Sequence, residues 1–262
     1  MLDAIIIGLV QGLTEFLPIS STGHMLIANS FLKSDFNDAF YVLVQVGPIA
    51  ACALVFWKDI SGFFINRKEP ATKDYVLKLS AAFFLTGIGG FIAKMCGIKL
   101  PETILPVALA LLIGGLIIFA VEYNKKRDLK ADLTWAVVVA VAIGQMVAAI
   151  FPGASRSGMA IMAALIVGLA RPQAVKFSFL VGIPTMFAAG SYELFREIKN
   201  GNATDLFSLE AIVAYIIATI SAWLTVVWLL KFVQTRNFVP FAWYRTGMGI
   251  ILLVLFAFGV IN

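Results

Sequence analysis

Apolar runs long enough to cross a bilayer recur along nearly the whole chain, and few architectures can accommodate them. Six stretches qualify, roughly 39–57, 75–98, 103–122, 174–195, 209–233 and 243–261. Each approaches the ~20 residues that span about 30 Å of hydrocarbon as an α-helix. That layer offers no water to unpaired N–H and C=O groups, so helices are the expected form. A large soluble core is excluded, because 61% of the 262 residues are hydrophobic and only 13% charged, against about 25% charged in soluble domains. The chain reads as an all-α polytopic membrane protein, a single membrane domain over 1–262.

Other classes fall away quickly. The start, MLDAIIIGLV, has Asp3 where a signal peptide carries Lys or Arg, so it is expected to belong to the mature protein. Cys52 and Cys96 lie in apolar segments and offer neither a CxxC pattern nor an expected disulfide. The net charge of +5 requires no nucleic acid, since cytoplasmic loops of membrane proteins collect Lys and Arg.

Two regions, 2–32 and 134–170, break this pattern, interrupted by FLPISSTG and FPGASRSG. Their apolar pieces are short, so each is expected to form a re-entrant hairpin of two half-helices, with irregular backbone buried in protein or lining a watery cavity. The regions also resemble each other. A shift of 134 pairs Gln11 with Gln145, Pro18 with Pro152, Ser21 with Ser155, Met25 with Met159 and Ile27 with Ile161. QVGPIAA (45–51) and LVGIPTM (180–186) then both place Gly and Pro mid-span. The expected plan is two repeats, about 1–122 and 133–262, each a hairpin followed by three spans. Three spans are odd in number, so the second repeat enters inverted, with broken helices meeting near the midplane.

Loop charges give an orientation. Lys58, Arg67, Lys68, Lys73, Lys125, Lys126, Arg127, Lys130, Arg171 and Arg236 share one side, expected to be cytoplasmic; Lys33, Lys99, Arg196 and Lys199 share the other. Both termini then lie outside and the first hairpin opens outward.

The polar residues concentrate in the hairpins. Gln11 and Glu15 are four apart and share a helix face. A carboxylate at membrane depth is costly unless paired, metal-bound or hydrated, which marks Glu15 as a functional candidate; the structural alternative is a hydrogen-bonded clasp. Ser20, Ser21 and Thr22 precede a short helix that one of them would cap. A helix N-terminus is also an anion site. His24, the only histidine, sits one turn after Ser21, a spacing that suits a base serving a hydroxyl or an acid protonating a leaving oxygen. PGASRSG adds Ser155, Arg156 and Ser157, and a planar guanidinium fork suits phosphate oxygens. The alternative for Arg156 is an internal ion pair with Glu15. Together these groups describe a phosphate site with acid–base chemistry. One carboxylate makes no protein cage, so a divalent cation would arrive with the substrate. Tyr244 and Arg245 read by default as interface anchors, Gln45 as cavity lining or a helix-to-helix hydrogen bond, and Trp57, Trp135 and Trp243 as belt residues.

QGLTEFLPISSTGHM near the start, PGASRSG past the middle and YRTGMGI in the last span resemble the bacterial undecaprenyl-diphosphate phosphatase family, associated with bacitracin resistance. The resemblance covers essentially the whole chain. It implies removal of the terminal phosphate of undecaprenyl diphosphate, giving the monophosphate carrier that cell-wall polymer synthesis reuses. It also implies interlocked inverted repeats, a divalent cation (Mg²⁺ or Ca²⁺) and a bacterial cytoplasmic-membrane location with the site opening outward. It places the acidic motif on Gln11 and Glu15, the proposed nucleophile on Ser21, the essential histidine on His24 and the phosphate grip on Ser155, Arg156 and Ser157. Ser20 and Thr22 are expected to assist phosphate binding, and Glu15 to touch the cation. Many members continue the second motif as SRSGAT; here Met159 and Ala160 follow Gly158. Ser21, His24 and water all stay open as nucleophile. A lipid-phosphate transporter or flippase could use the same site. Expected partners are the polyprenyl diphosphate and the bilayer, with no nucleic acid, and a homodimer is left open.

Overall fold

The computed structural model describes residues 1–32, 36–98, 100–101, 103–124, 130–201 and 206–259. Among these the chain is all-helical, with one isolated backbone bridge between Lys130 and Leu169. The helices are α1 (Leu2–Thr14), α2 (Ser21–Leu32), α3 (Asp38–Val55), α4 (Trp57–Ile65), α5 (Pro70–Met95), α6 (Ile104–Tyr123), α7 (Trp135–Ile150), α8 (Arg156–Ile166), α9 (Arg171–Lys199), α10 (Leu209–Thr235) and α11 (Val239–Ala257). α3, α5, α6, α9, α10 and α11 are long and apolar enough to span, matching the six expected stretches within a few residues. α4 is an addition. Its WKDISGFFI sequence mixes charge with aromatic residues and buries none of them.

Local sequence explains the boundaries. Thr134 and Ser208 cap α7 and α10 by accepting from the N–H three residues on, Val137 and Ala211. Proline occupies the first turn of α5, α9 and α11, where no N–H partner is required.

Packing relies on small residues, as expected where lipid removes the hydrophobic drive between helices. On α1, a Cβ at Gly8 would lie 2.5 Å from the Ala214 carbonyl oxygen, and one at Gly12 would lie 2.4 Å from that of Ala218 and 2.0 Å from Ser221 Oγ. α1 therefore lies backbone to backbone on α10. Gly12→Leu is expected to force the two apart and lower the thermal midpoint of the detergent-solubilised protein by several degrees, whereas Leu13→Ala, on the exposed face, leaves it unchanged.

Ion pairs tie one end of the bundle. Arg171 at the start of α9 donates to both oxygens of the buried Glu122 carboxylate on α6, which also accepts from the Phe238 N–H ahead of α11. Lys176 on α9 pairs with Asp59 on α4. The ends of α7 and α8 remote from their turn meet at the Lys130–Leu169 bridge, so the two helices form an antiparallel hairpin. Of the loop charges behind the expected orientation, Lys33, Lys99, Lys125, Lys126 and Arg127 lie outside the described residues.

Candidate active site

The turns between α1 and α2 (15–20) and between α7 and α8 (151–155) meet inside the bundle, and short-range chemistry shapes both. Each ends on a serine held at positive φ, 74° for Ser20 and 69° for Ser155, a conformation unfavourable for a residue with a Cβ. In each the serine Oγ accepts from a glycine N–H three residues on, Gly23 at 3.3 Å and Gly158 at 3.2 Å. The caps thus correspond at a shift of 135, one residue from the 134 expected. Any of the three adjacent hydroxyls at 20–22 could have served as cap, and the backbone selects Ser20.

Serines also join the turns. Ser157 Oγ lies 3.0 Å from the Leu17 carbonyl oxygen and 3.4 Å from that of Glu15, and Ser155 Oγ lies 3.2 Å from Ser157 Oγ. Arg245 completes the join. It is not the interface anchor expected from sequence: it is 1% exposed and donates to Pro18 O at 3.1 Å, Gly153 O at 3.2 Å, Ala110 O at 3.0 Å and Leu111 O at 3.4 Å. One guanidinium fastens both turns to α6. A Cβ on Gly114 would fall 2.0 Å from its Nη2, so that glycine makes room for it.

Beside this junction lies a cavity of about 280 Å³. Glu15, Arg156, Ser157, Gln145 on α7 and Ser178 on α9 supply its polar lining; Phe16, Phe179 and Met186 are among its apolar wall. Ala160 also lines it, so the hydroxyl that the SRSGAT pattern would supply is missing from this wall. Gln11 holds Glu15 from below, Nε2 to Oε2 at 2.8 Å, as the four-residue spacing predicts. Arg156 is exposed rather than buried, and among the described residues it forms no ion pair with Glu15. At the first position of α8 it adds its charge to the free N–H groups of that helix start. No group of three or more His, Cys, Asp or Glu side chains among the described residues could cage a metal. Glu15 suits a cation that takes its remaining ligands from phosphate oxygens.

The other candidates form a neighbouring cluster. His24 Nδ1 lies 2.6 Å from the Ser20 carbonyl oxygen, which can only accept, so Nδ1 carries the proton. In the neutral ring Nε2 then accepts from the Tyr244 hydroxyl at 2.6 Å, with the two rings parallel at 5.6 Å. Ser21 and Thr22 are half-buried on the first turn of α2. No hydrogen bond joins Ser21 to His24, and neither lines the cavity that holds Glu15 and Arg156. Tyr244 is thus a partner of the histidine, which its place in the sequence did not reveal. Gln45 is exposed and makes no side-chain hydrogen bond among the described residues, and the three belt tryptophans are exposed near helix ends.

Comparison with known proteins places this arrangement. The family model described as bacitracin resistance protein BacA matches residues 4–251. The chain belongs to the BacA family. Relatives within reach include the undecaprenyl-diphosphatase of Rhizobium etli, 42% identical over 99% of this chain and 98% of that protein. Those of Xylella fastidiosa and Xanthomonas campestris pv. campestris, also named undecaprenyl-diphosphatase, are 42% and 43% identical over 97% of both chains. The BacA match takes in both turns, the cavity and Arg245, so the whole site falls within the family's span.

Proposed function

We propose that this multi-pass membrane protein hydrolyses undecaprenyl diphosphate to undecaprenyl phosphate and inorganic phosphate. The observation that carries the reading is an Arg156 at a helix start, without an ion pair among the described residues, sharing a small cavity with a single carboxylate, in a chain that resembles undecaprenyl-diphosphatases from end to end. The hairpins enter the membrane from opposite faces, the membrane is the bacterial inner membrane, and the site opens outward.

In this reading Arg156, the N–H groups of α8, Ser155 and Ser157 grip the terminal phosphate and spread its charge, the main catalytic task in phosphoryl transfer. Ser20 and Thr22 border the phosphate from the first turn, and Gln11 fixes the Glu15 carboxylate. A divalent cation, Mg²⁺ or Ca²⁺, held between Glu15 and phosphate oxygens would neutralise charge on the headgroup. His24 Nε2 holds a lone pair at the edge of this region, and release from Tyr244 would free it to take the proton of Ser21 as that hydroxyl attacks the terminal phosphorus; the bond to the bridging oxygen breaks, undecaprenyl phosphate leaves, and water then cleaves the phosphoserine to release inorganic phosphate. Ser21→Ala is expected to lower turnover ~10³-fold or more, measured as phosphate release; near-normal turnover would exclude Ser21 as nucleophile. Hydrolysis is separated from transport by assaying in detergent micelles, where no gradient exists: a pure transporter leaves the diphosphate intact. Adding a chelator in the same assay tests the cation.

A further inference from the structure

Three buried side-chain polar atoms lack a hydrogen-bond partner among the described residues: Gln145 Nε2, Ser178 Oγ and Thr246 Oγ1. Two of the three line the cavity that contains Glu15 and Arg156. Their owners are 2% and 3% exposed, so bulk water does not satisfy them. A buried polar atom without a partner costs about 1–3 kcal/mol and is rare in native structures. Two at one cavity, beside a guanidinium that has no ion pair among the described residues, form a donor set with no described acceptor.

Of the Gln145 amide, only the oxygen has a described protein partner. Thr185 Oγ1 on α9 lies 3.0 Å from Gln145 Oε1, and is itself within 3.0 Å of Val181 O and 2.9 Å of Gly182 O. With the single hydroxyl proton of Thr185 given to Gln145, the amide oxygen is occupied and the two N–H donors of Nε2 have no partner among the described residues. Ser178, also on α9, does not return its hydroxyl to a carbonyl one turn back, as Thr219 and Thr225 on α10 do. Its neighbour on the cavity wall, Gly182, would meet nothing within 4 Å if it carried a Cβ, so space lies open there.

We propose that Gln145 and Ser178 are further substrate-binding residues, donating hydrogen bonds to non-bridging oxygens of the phosphate held by Arg156. The ligand class follows from the donors: amide N–H, hydroxyl and guanidinium converge on an oxyanion, and Phe16, Phe179 and Met186 shield it from water. The site thereby draws on α7 and α9 as well as on the two turns. A structural tie between α7 and α9 accounts for Gln145 Oε1 and Thr185, but not for Nε2 or for Ser178. This inference rests on the proposed phosphatase reading.

The test uses full-length protein in detergent, with undecaprenyl diphosphate as substrate and inorganic phosphate as product inhibitor. Gln145→Glu keeps the shape, removes both donors and adds a negative charge. It is expected to raise KM and the inhibition constant for phosphate at least 10-fold, with an unchanged thermal midpoint. Ser178→Ala, which removes one oxygen from a buried wall, is expected to raise both about 3- to 10-fold and carries the test alone if the glutamate variant does not fold. Wild-type KM and inhibition constants in the folded variants would overturn the assignment. So would a lower divalent-cation requirement in Gln145→Glu, which would place the side-chain oxygen on a cation. Wild-type protein that binds phosphate, with the variants weakened as stated, but hydrolyses no diphosphate would sink the phosphatase reading and leave this anion site standing.

Discussion

Arg156→Ala is expected to reduce phosphate release by about 10²–10³-fold, the loss typical when one preorganised charge-stabilising donor is removed. The protein should fold normally, because Arg156 is exposed and holds no ion pair or hydrogen bond among the described residues that its loss would break. That combination distinguishes a substrate-facing cation from a structural one. Arg156→Lys should recover only part of the activity, since an ammonium keeps the charge but lacks the planar fork that meets two phosphate oxygens at once. Paired assays of turnover and thermal stability on the three proteins decide the matter. A large activity loss accompanied by a comparable loss of stability would instead assign Arg156 to the fold.

Arg245→Ala should show the opposite signature, a protein that loses stability and activity together. The guanidinium is the only described partner of the Pro18 and Gly153 carbonyls, both at turns where no helix bond can replace it. Leaving each carbonyl unsatisfied costs roughly 1–3 kcal/mol, and the vacated volume beside Gly114 adds a cavity penalty. The two turns would then lose their common anchor on α6, and Glu15 and Arg156 their fixed separation. The expected outcome is a thermal midpoint lower by several degrees and activity near background. Arg245→Lys, with one compact donor group for four carbonyls, should fall between. If Arg245→Ala melted like the wild type, the joining role would be wrong.

These two arginines show which parts of the molecule sequence reasoning reaches. The spans were legible because a run of about twenty apolar residues admits only a helix in lipid, and the six helices fall where those runs lie. α4 was hidden because Trp57 and Lys58 look like the end of a span and the nine-residue helix they open is too short for a clear period. Arg156 could be picked out because a cation between two serines at a Pro–Gly break has little structural use. Arg245 could not. The last span was expected to begin at 243, which put Arg245 at the interface; the helix begins at Val239, about one turn earlier, and carries Arg245 into the interior. Gln145 was visible only as the counterpart of Gln11, because its role depends on α9 crossing behind it, a contact no local pattern encodes. The pairing of His24 with Tyr244, 220 residues apart, is hidden for the same reason.

The central claim is that the junction of the two turns cleaves a lipid diphosphate. Its most direct test is phosphate release from undecaprenyl diphosphate by purified protein in detergent, with the lipid product identified in parallel. The account predicts one phosphate freed for each undecaprenyl monophosphate formed, with the activity abolished by Glu15→Gln. Binding of the diphosphate without phosphate release, or release that survives Glu15→Gln undiminished, would contradict it.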